Sequence, residues 1–342
     1  MTLLLGAAEL HRLLDVPTCL ATLREALVSV ARQEDGERAG YAAQRVQHDL
    51  PAPGRIAAVF PGLLPGVPAY TVKVNAKYPA SVPAITGVIC LHDLRNGQLL
   101  ALVDSGTVTA WRTGLSAALG TAELAPPKAG PARTVGVVGA GEQARLTLRG
   151  LHHLTGFDRL VIHDERPEAA ARLAEEWTAR GIDCLIVDSA AHACMASQIT
   201  VTATWSRTPL LDRVDVPQGS HLTSLGNDEP GKRELSTDLL HNSRLFVDDI
   251  ALATTGGVLH ASDIDPHDVG TLGDVLAGTH PGRHSARETT VYAPVGLPFL
   301  DLVLAWHAYG TAKASAVGTH FDFGSPQRQP PATPNPDRKE EA

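Results

Sequence analysis

The sequence predicts an α/β fold in which a doubly wound parallel sheet follows an α+β domain, and three observations carry that expectation. Val135, Val137 and Val138 form a β-branched strand that runs into Gly139-Ala140-Gly141, after which Leu146, Leu148 and Leu151 fall at helical positions. A second apolar run, residues 160–163, ends on Asp164. Beyond residue 132, short buried-strand runs alternate with helical stretches, the rhythm of a parallel sheet with crossover helices.

Each small residue of the first run has a mechanical reason. Gly139 permits the tight turn out of the strand, Gly141 lets backbone N–H groups approach a pyrophosphate, and Ala144 lets the helix lie close to the sheet, as in a Rossmann-type dinucleotide site. The helix that starts at Glu142 then presents unpaired N–H groups to the phosphates. A glycine pattern of this kind is weak by itself, since many strand-to-helix turns look like it. Asp164 strengthens it, because it lies 20 residues beyond Ala144, where a carboxylate accepts hydrogen bonds from the adenosine ribose hydroxyls. The same carboxylate repels a 2′-phosphate, so the expected cofactor is NAD(H) and not NADP(H). The plainer alternative is an aspartate that caps the turn before Arg166-Pro167.

Residues 1–124, rejoined by 303–324, read as the α+β domain; residues 125–302 read as the dinucleotide-binding domain, and 325–342 as a disordered, proline-rich and charged tail. The first domain opens with a helix (Leu20, Leu23, Ala26, Leu27, Val30) and continues with strands at 56–60, 70–74 and 87–91. Asn96-Gly97, between the runs 88–91 and 99–103, signals a type I′ hairpin. A helix from Thr107 to Leu124 leads into residues 125–131, a proline-rich stiff linker. Later strands are expected at 184–187, 198–202, 221–225 and 244–247. A helix with Leu302, Val303, Trp306 and Ala314 on its apolar stripe then returns the chain to the first domain.

At 342 residues there is room for two cores, and 44% hydrophobic with 19% charged residues is the composition of a globular protein. No apolar run approaches the roughly 20 residues that span a bilayer, and the N-terminus lacks the basic start of a secretory signal. Cys19, Cys90, Cys184 and Cys194 show neither close pairing nor the density of a disulfide scaffold, which points to the cytoplasm. The 15 histidines show no metal-ligand spacing, so no metal is expected. A net charge of −8 argues against nucleic acid and leaves a small charged molecule as the partner.

Several polar residues stand out against this background. Lys73 and Asn75 share one face of an alternating strand with Thr71, which suits either a site or a solvated edge strand. Arg112 lies among small residues just before the linker, where a guanidinium can clamp a carboxylate bidentately or simply face solvent; Arg45 has the same ambiguity. The loop 226–235 follows the run 222–225, and loops after such strands face the ligand crevice, which brings Asp228 and Lys232 toward the nicotinamide. Asp228 suits a general acid/base if burial raises its pKa or Lys73 matches it, and equally suits a turn-forming role.

Taken in order, the strand of Lys73, Ile85-Thr86-Gly87, residues 108–117, Gly139-Ala140-Gly141-Glu142-Gln143-Ala144, residues 202–206, residues 228–235 and residues 291–296 resemble the ornithine cyclodeaminase/mu-crystallin family over residues 10 to 320. The resemblance implies a homodimer built through the first domain and a nicotinamide cofactor on the second. It implies hydride transfer at an amino acid's α-carbon through an imine. By position, Arg45, Lys73 and Arg112 would hold the substrate carboxylate, with Gly296 beside the substrate, and Lys73 and Asp228 would be catalytic. The cofactor shell would comprise Thr86, Arg112, Gly139, Gly141, Glu142, Gln143, Asp164, Thr204, Asn227, Lys232 and Val295.

Two departures bear on the substrate. Members that cyclise ornithine carry an acid just before the element matched by Phe60-Pro61, where this chain has Ala57-Ala58-Val59. The segment 78–83 also lacks the asparagine usual after the strand lysine. Both predict a small or apolar substrate side chain. The leading expectation is thus an NAD(H)-dependent oxidoreductase, an amino-acid dehydrogenase or imine reductase, that interconverts a small or cyclic amino acid with its imine or keto acid. The alternatives are a redox-neutral ornithine- or lysine-type cyclodeaminase that recycles NAD in place, and a crystallin-like binding protein without turnover.

Overall fold

A computed structural model of the chain describes residues 1–33, 44–50, 54–128, 132–260 and 262–323. Residues 129–131 of the expected linker, and the expected tail, lie outside the described residues. β1 (Thr2–Leu5), β2 (Gln44–Asp49), β3 (Arg55–Gly62), β4 (Ala69–Lys77), β5 (Ile85–Asp93) and β6 (Leu99–Asp104) form one sheet, completed by the last strand, β15 (Thr319–Phe321). The order is β15-β1-β6-β5-β4-β3-β2, antiparallel except where β1 meets β6.

Alternation gives this sheet two different faces. Along β4, Thr71, Lys73, Asn75 and Lys77 are buried while Val74 on the other face is exposed. The inner face packs on the helices Ser105–Leu124 and Pro298–Ser315. The outer face leaves Val46, Ile56 and Val74 open at 59%, 38% and 44% exposure.

The hairpin between β5 and β6 forms, but its turn is not the two-residue type I′ that Asn96-Gly97 predicts. Residues 94–98 connect the strands, the Asp93 N–H donates to Gln98 O at 2.9 Å, and Gly97 takes φ +72° while Asn96 does not reach positive φ. The reason is side-chain competition for the backbone. Asp93 Oδ1 accepts from Arg95 N (2.8 Å) and Asn96 Oδ1 accepts from Gln98 N (2.9 Å), which holds a longer turn.

The second sheet contains β7 (Thr134–Val138), β8 (Arg159–His163), β9 (Asp183–Ile186), β10 (Ile199–Thr202), β11 (His221–Ser224), β12 (Arg244–Val247), β13 (Gly270–Thr271) and β14 (Thr290–Tyr292). Its order is β13-β12-β14-β11-β10-β7-β8-β9, with every pairing parallel, so this is a Rossmann-type doubly wound sheet. After β9 the chain crosses to the other side of β7, and the crevice at that reversal opens between β7 and β10. The glycine loop leaves β7 at this point.

The helix Ser105–Leu124 ties the two sheets together. Gly114 lets it press against the cofactor helix Glu142–Thr155, because a Cβ at 114 would sit 2.5 Å from Leu146 Cβ and 2.9 Å from Gln143 O. That contact holds Arg112, two residues earlier, at the same cleft as Gln143 of that helix. Gly114→Leu is therefore expected to cost about 1–3 kcal/mol through overpacking. Urea unfolding checks this, and an unchanged midpoint would show that the contact yields freely.

Candidate active site

The first sheet presents its inner face as cross-strand rows. Arg45, Val59 and Lys73 stand side by side, then Gln47, Ala57 and Asn75, then Asp49, Arg55 and Lys77. Successive rows are two residues apart along each strand, roughly 6.7 Å. The first two rows, and Lys77 of the third, border a cleft that is also lined by Arg112, Asp228 and Gln143, the last from the opening turn of the cofactor helix.

The first row meets a buried carboxylate. Lys73 Nζ donates to Asp301 Oδ2 at 2.5 Å and to Thr109 Oγ1 at 3.4 Å, while Arg112 Nε donates to Asp301 Oδ1 at 3.2 Å. Lys73 and Asp301 are only 3% and 1% exposed. Burial pushes the Lys73 ammonium down to about 7; Asp301 opposes this and the Arg112 charge adds to it. The expected polar face of β4 is thus a desolvated one and not a solvated edge.

Among the described residues Arg45 has no ion pair with a carboxylate. Its guanidinium donates to two backbone carbonyls, Asp228 O at 2.9 Å and Val295 O at 3.1 Å, and burial pulls its pKa down. Two cations, Arg45 and Arg112, thereby converge beside Gly296. Gly296 has φ +100°, and a Cβ there would run into the Arg112 guanidinium. The loop is held from below by Asp248, which accepts from Val295 N at 2.9 Å and Gly296 N at 2.6 Å; burial raises its pKa against those two bonds.

Asp228 differs from expectation. Its carboxylate pairs with Lys232 (2.6 Å) and Lys77 (3.3 Å), not with Lys73. Burial alone would raise its pKa, but the two ammonium groups outweigh burial and hold it well below the usual carboxylate range. Lys232 also lies 4.4 Å from the Trp205 ring centroid, so its charge is spent on Asp228 and an aromatic face. Glu229, next in the chain, takes Lys77 and, at 3.1 Å, Arg55.

The cofactor loop has the shape a pyrophosphate needs. Gly139 takes φ +91° and a Cβ there would be 2.6 Å from Ala203 O, whereas nothing lies within 4 Å of a Cβ at Gly141. Gly141 caps the helix without a side-chain bond, which leaves the first-turn N–H groups to a ligand. Asp164 follows β8 and accepts from Ala140 N at 2.7 Å and Arg166 N at 2.8 Å, so it buttresses the loop and caps the next turn as well. Glu142 pairs with Arg145 at 2.7 Å.

Thr204 and Asn227 are organised by Glu234, a residue without any sequence signal. Fully buried, it accepts from Thr202 Oγ1 (2.6 Å), Thr204 N (2.6 Å) and Oγ1 (2.7 Å), Ser224 Oγ (2.7 Å) and Gly226 N (2.8 Å). Asn227 Oδ1 in turn accepts from Glu234 N at 3.0 Å. Of the expected site residues, Arg45, Lys73, Arg112, Gln143, Asp228, Val295 and Gly296 line the cleft; Gly139, Gly141, Glu142, Asp164, Thr204, Asn227 and Lys232 lie outside its lining, as does Thr86, which is exposed and pairs with Ala76 on β4. Asp301 and Lys77 were also missed from sequence. Each had a signal, a lone carboxylate in an apolar helix and a lysine four residues beyond Lys73 on the same strand face.

Comparison with known proteins agrees with this architecture. The family model for the ornithine cyclodeaminase/mu-crystallin family matches residues 4–316. The iminosuccinate reductase of Paracoccus denitrificans is 31% identical over 239 residues, 69% of this chain and 73% of its own. An archaeal alanine dehydrogenase dimer with bound NAD superposes with a TM-score of 0.84 at 27% identity, covering 94% of this chain and 99% of that one. Thermococcus litoralis Δ1-pyrroline-2-carboxylate reductase, in complex with NADH and L-proline, gives the same 0.84 at 27% identity over 94% and 100%. With its Rossmann-type sheet, its glycine loop and these matches, the chain belongs to the ornithine cyclodeaminase/mu-crystallin family.

Proposed function

We propose that the protein is an NAD(H)-dependent oxidoreductase that interconverts an amino acid and its imine, and that Arg45, Lys73, Arg112 and Asp228 carry the reaction. The observation behind it is that the basic trio and the first turn of the cofactor helix line one cleft. NAD(H) supplies or accepts hydride at nicotinamide C4. Gly139, Gly141 and the N-terminus of the helix Glu142–Thr155 would hold its pyrophosphate, and Asp164 its ribose.

Arg45 and Arg112 bind the substrate α-carboxylate, with Lys73 adding a third positive group. In reduction a C–H bond forms at the α-carbon, the C=N π pair moves to nitrogen, and that nitrogen takes one proton. Lys73, charged near neutrality yet easily deprotonated, gives that proton and recovers it from solvent. Asp228, kept ionised by Lys77 and Lys232, is a poor acid and serves instead to stabilise the cationic imine. Ala57 and Val59 stand in the cleft where a cyclodeaminase acid is expected, so a distal ammonium finds no partner there.

The exposed apolar side chains of Val46, Ile56 and Val74, with the dimeric state of the alanine dehydrogenase relative, support a homodimer through the outer face of the first sheet. Among the described residues no helix is long and apolar enough to cross a membrane. Four unbridged cysteines favour the cytoplasm. The direct test is NADH oxidation with a panel of cyclic imines and of 2-oxo acids plus ammonia. Turnover of at least one is expected. Silence across the panel, or ammonia release from ornithine without net NADH, would sink the assignment.

A further inference from the structure

The second cross-strand row contains polar groups that nothing among the described residues satisfies. Gln47 Nε2, Asn75 Oδ1 and Thr113 Oγ1 are buried atoms with no hydrogen-bond partner, and all three residues line the cleft. Asn75 is 4% exposed. A buried polar atom left without a partner is costly, so such a group in a cleft is a place for a ligand's polar atoms. Ala57 between Gln47 and Asn75 keeps the floor of this row open.

The chemistry of that ligand follows from charge. Four cations, Arg45, Lys73, Lys77 and Arg112, line the cleft with Asp228, while Asp301 pairs with Lys73 and Arg112 and Glu229 with Lys77 from behind them, so three carboxylates face four cations and Arg45 has no ion pair among the described residues. Lys77 stands one row beyond Asn75 on the same strand face. Its ammonium has three N–H donors, of which Asp228 and Glu229 engage two. Gln47 offers amide N–H donors, and Asn75 offers the same when its amide is turned over. A donor-rich pocket with excess positive charge takes an anion in preference to a methyl group or an amine.

We propose that Gln47 and Asn75, beside Lys77, hold a second carboxylate, so that the substrate is a short-chain imino or amino dicarboxylate. This deepens the proposed function and rests on it. One row spacing separates the α-carboxylate site at Arg45 from Gln47, so a side chain of only a few atoms spans the two. It keeps the small side chain expected from Ala57-Ala58-Val59 but makes it charged and not apolar, because the neighbours of Ala57 and Val59 on β2 and β4 are polar.

Matched substrates test it. With NADH and ammonia, oxaloacetate is expected to exceed 2-oxobutyrate, its methyl-ended counterpart, by roughly 100-fold or more in kcat/KM. As a binding measure, malate should raise the melting temperature of the NADH-loaded protein where 2-hydroxybutyrate does not. If 2-oxobutyrate or pyruvate equals oxaloacetate, the second-carboxylate site is wrong while the proposed function stands. If no 2-oxo acid or cyclic imine oxidises NADH, the proposed function itself fails. Gln47→Leu should bring the oxaloacetate to 2-oxobutyrate ratio down by about tenfold; Gln47→Glu, which keeps the shape and opposes the second charge, should lower it at least as far. A ratio unmoved in both variants would overturn the assignment.

Discussion

Asp301→Ala is expected to destabilise the protein by about 3–5 kcal/mol, because it strands two buried cations. Lys73 and Arg112 both spend hydrogen bonds on this one carboxylate, and all three groups are almost fully buried. A lone buried ammonium can shed its proton, and Lys73 is already poised to do so; the guanidinium cannot, so Arg112 has to move or take up water. Asp301→Asn keeps the volume and one acceptor and should lose less. Urea unfolding of both variants measures this. A loss below ~1 kcal/mol for the alanine variant, the range of an exposed pair, would mean that solvent reaches the cluster.

Lys73→Met should lower kcat by about 10²- to 10⁴-fold, the usual contribution of a positioned proton donor. NADH affinity should stay within about twofold, since Lys73 bonds to Asp301 and Thr109 and not to the glycine loop. Fluorescence titration separates the two effects, and an equal loss of both would point to collapse of the cleft. The wild-type pH profile provides a second check. If Lys73 gives the proton, imine reduction falls as pH rises through about 7, because only the ammonium form is active. Stability runs the other way for this residue: between about 7 and its ordinary 10.5 the unfolded chain binds more protons than the folded one, so its contribution becomes more favourable as pH rises.

The Rossmann-type sheet was legible because its signals are local. β-Branched runs, a glycine turn and a terminal aspartate all fall within one βαβ unit, and β7 and β8 end where the sequence places them. β1 and β2 were not legible. β1 has four residues and is completed by a parallel partner about a hundred positions away, and β2 is a mostly exposed edge of mixed polarity.

The site divides along the same line. Arg45, Lys73 and Arg112 could be named by type and position, but Asp301, the partner of Lys73 and Arg112, reaches them from a helix near the other end of the chain. The ionisation of Asp228 is set by Lys232, four residues on in the same loop, and by Lys77 on β4, and only the folded cleft brings Lys77 near. Glu234 organises five donors from two segments, 202–204 and 224–226, and no spacing in one stretch of sequence can show that.

The cross-strand rows separate two kinds of change. Arg45, Val59 and Lys73 form one row, and Gln47, Ala57 and Asn75 the next, on the same three strands and at the same pleat face. A substitution in the second row alters what is accepted without moving the residues that act on it. Such a floor can be rewritten one position at a time, so new substrates become reachable by single mutations that leave the chemistry running.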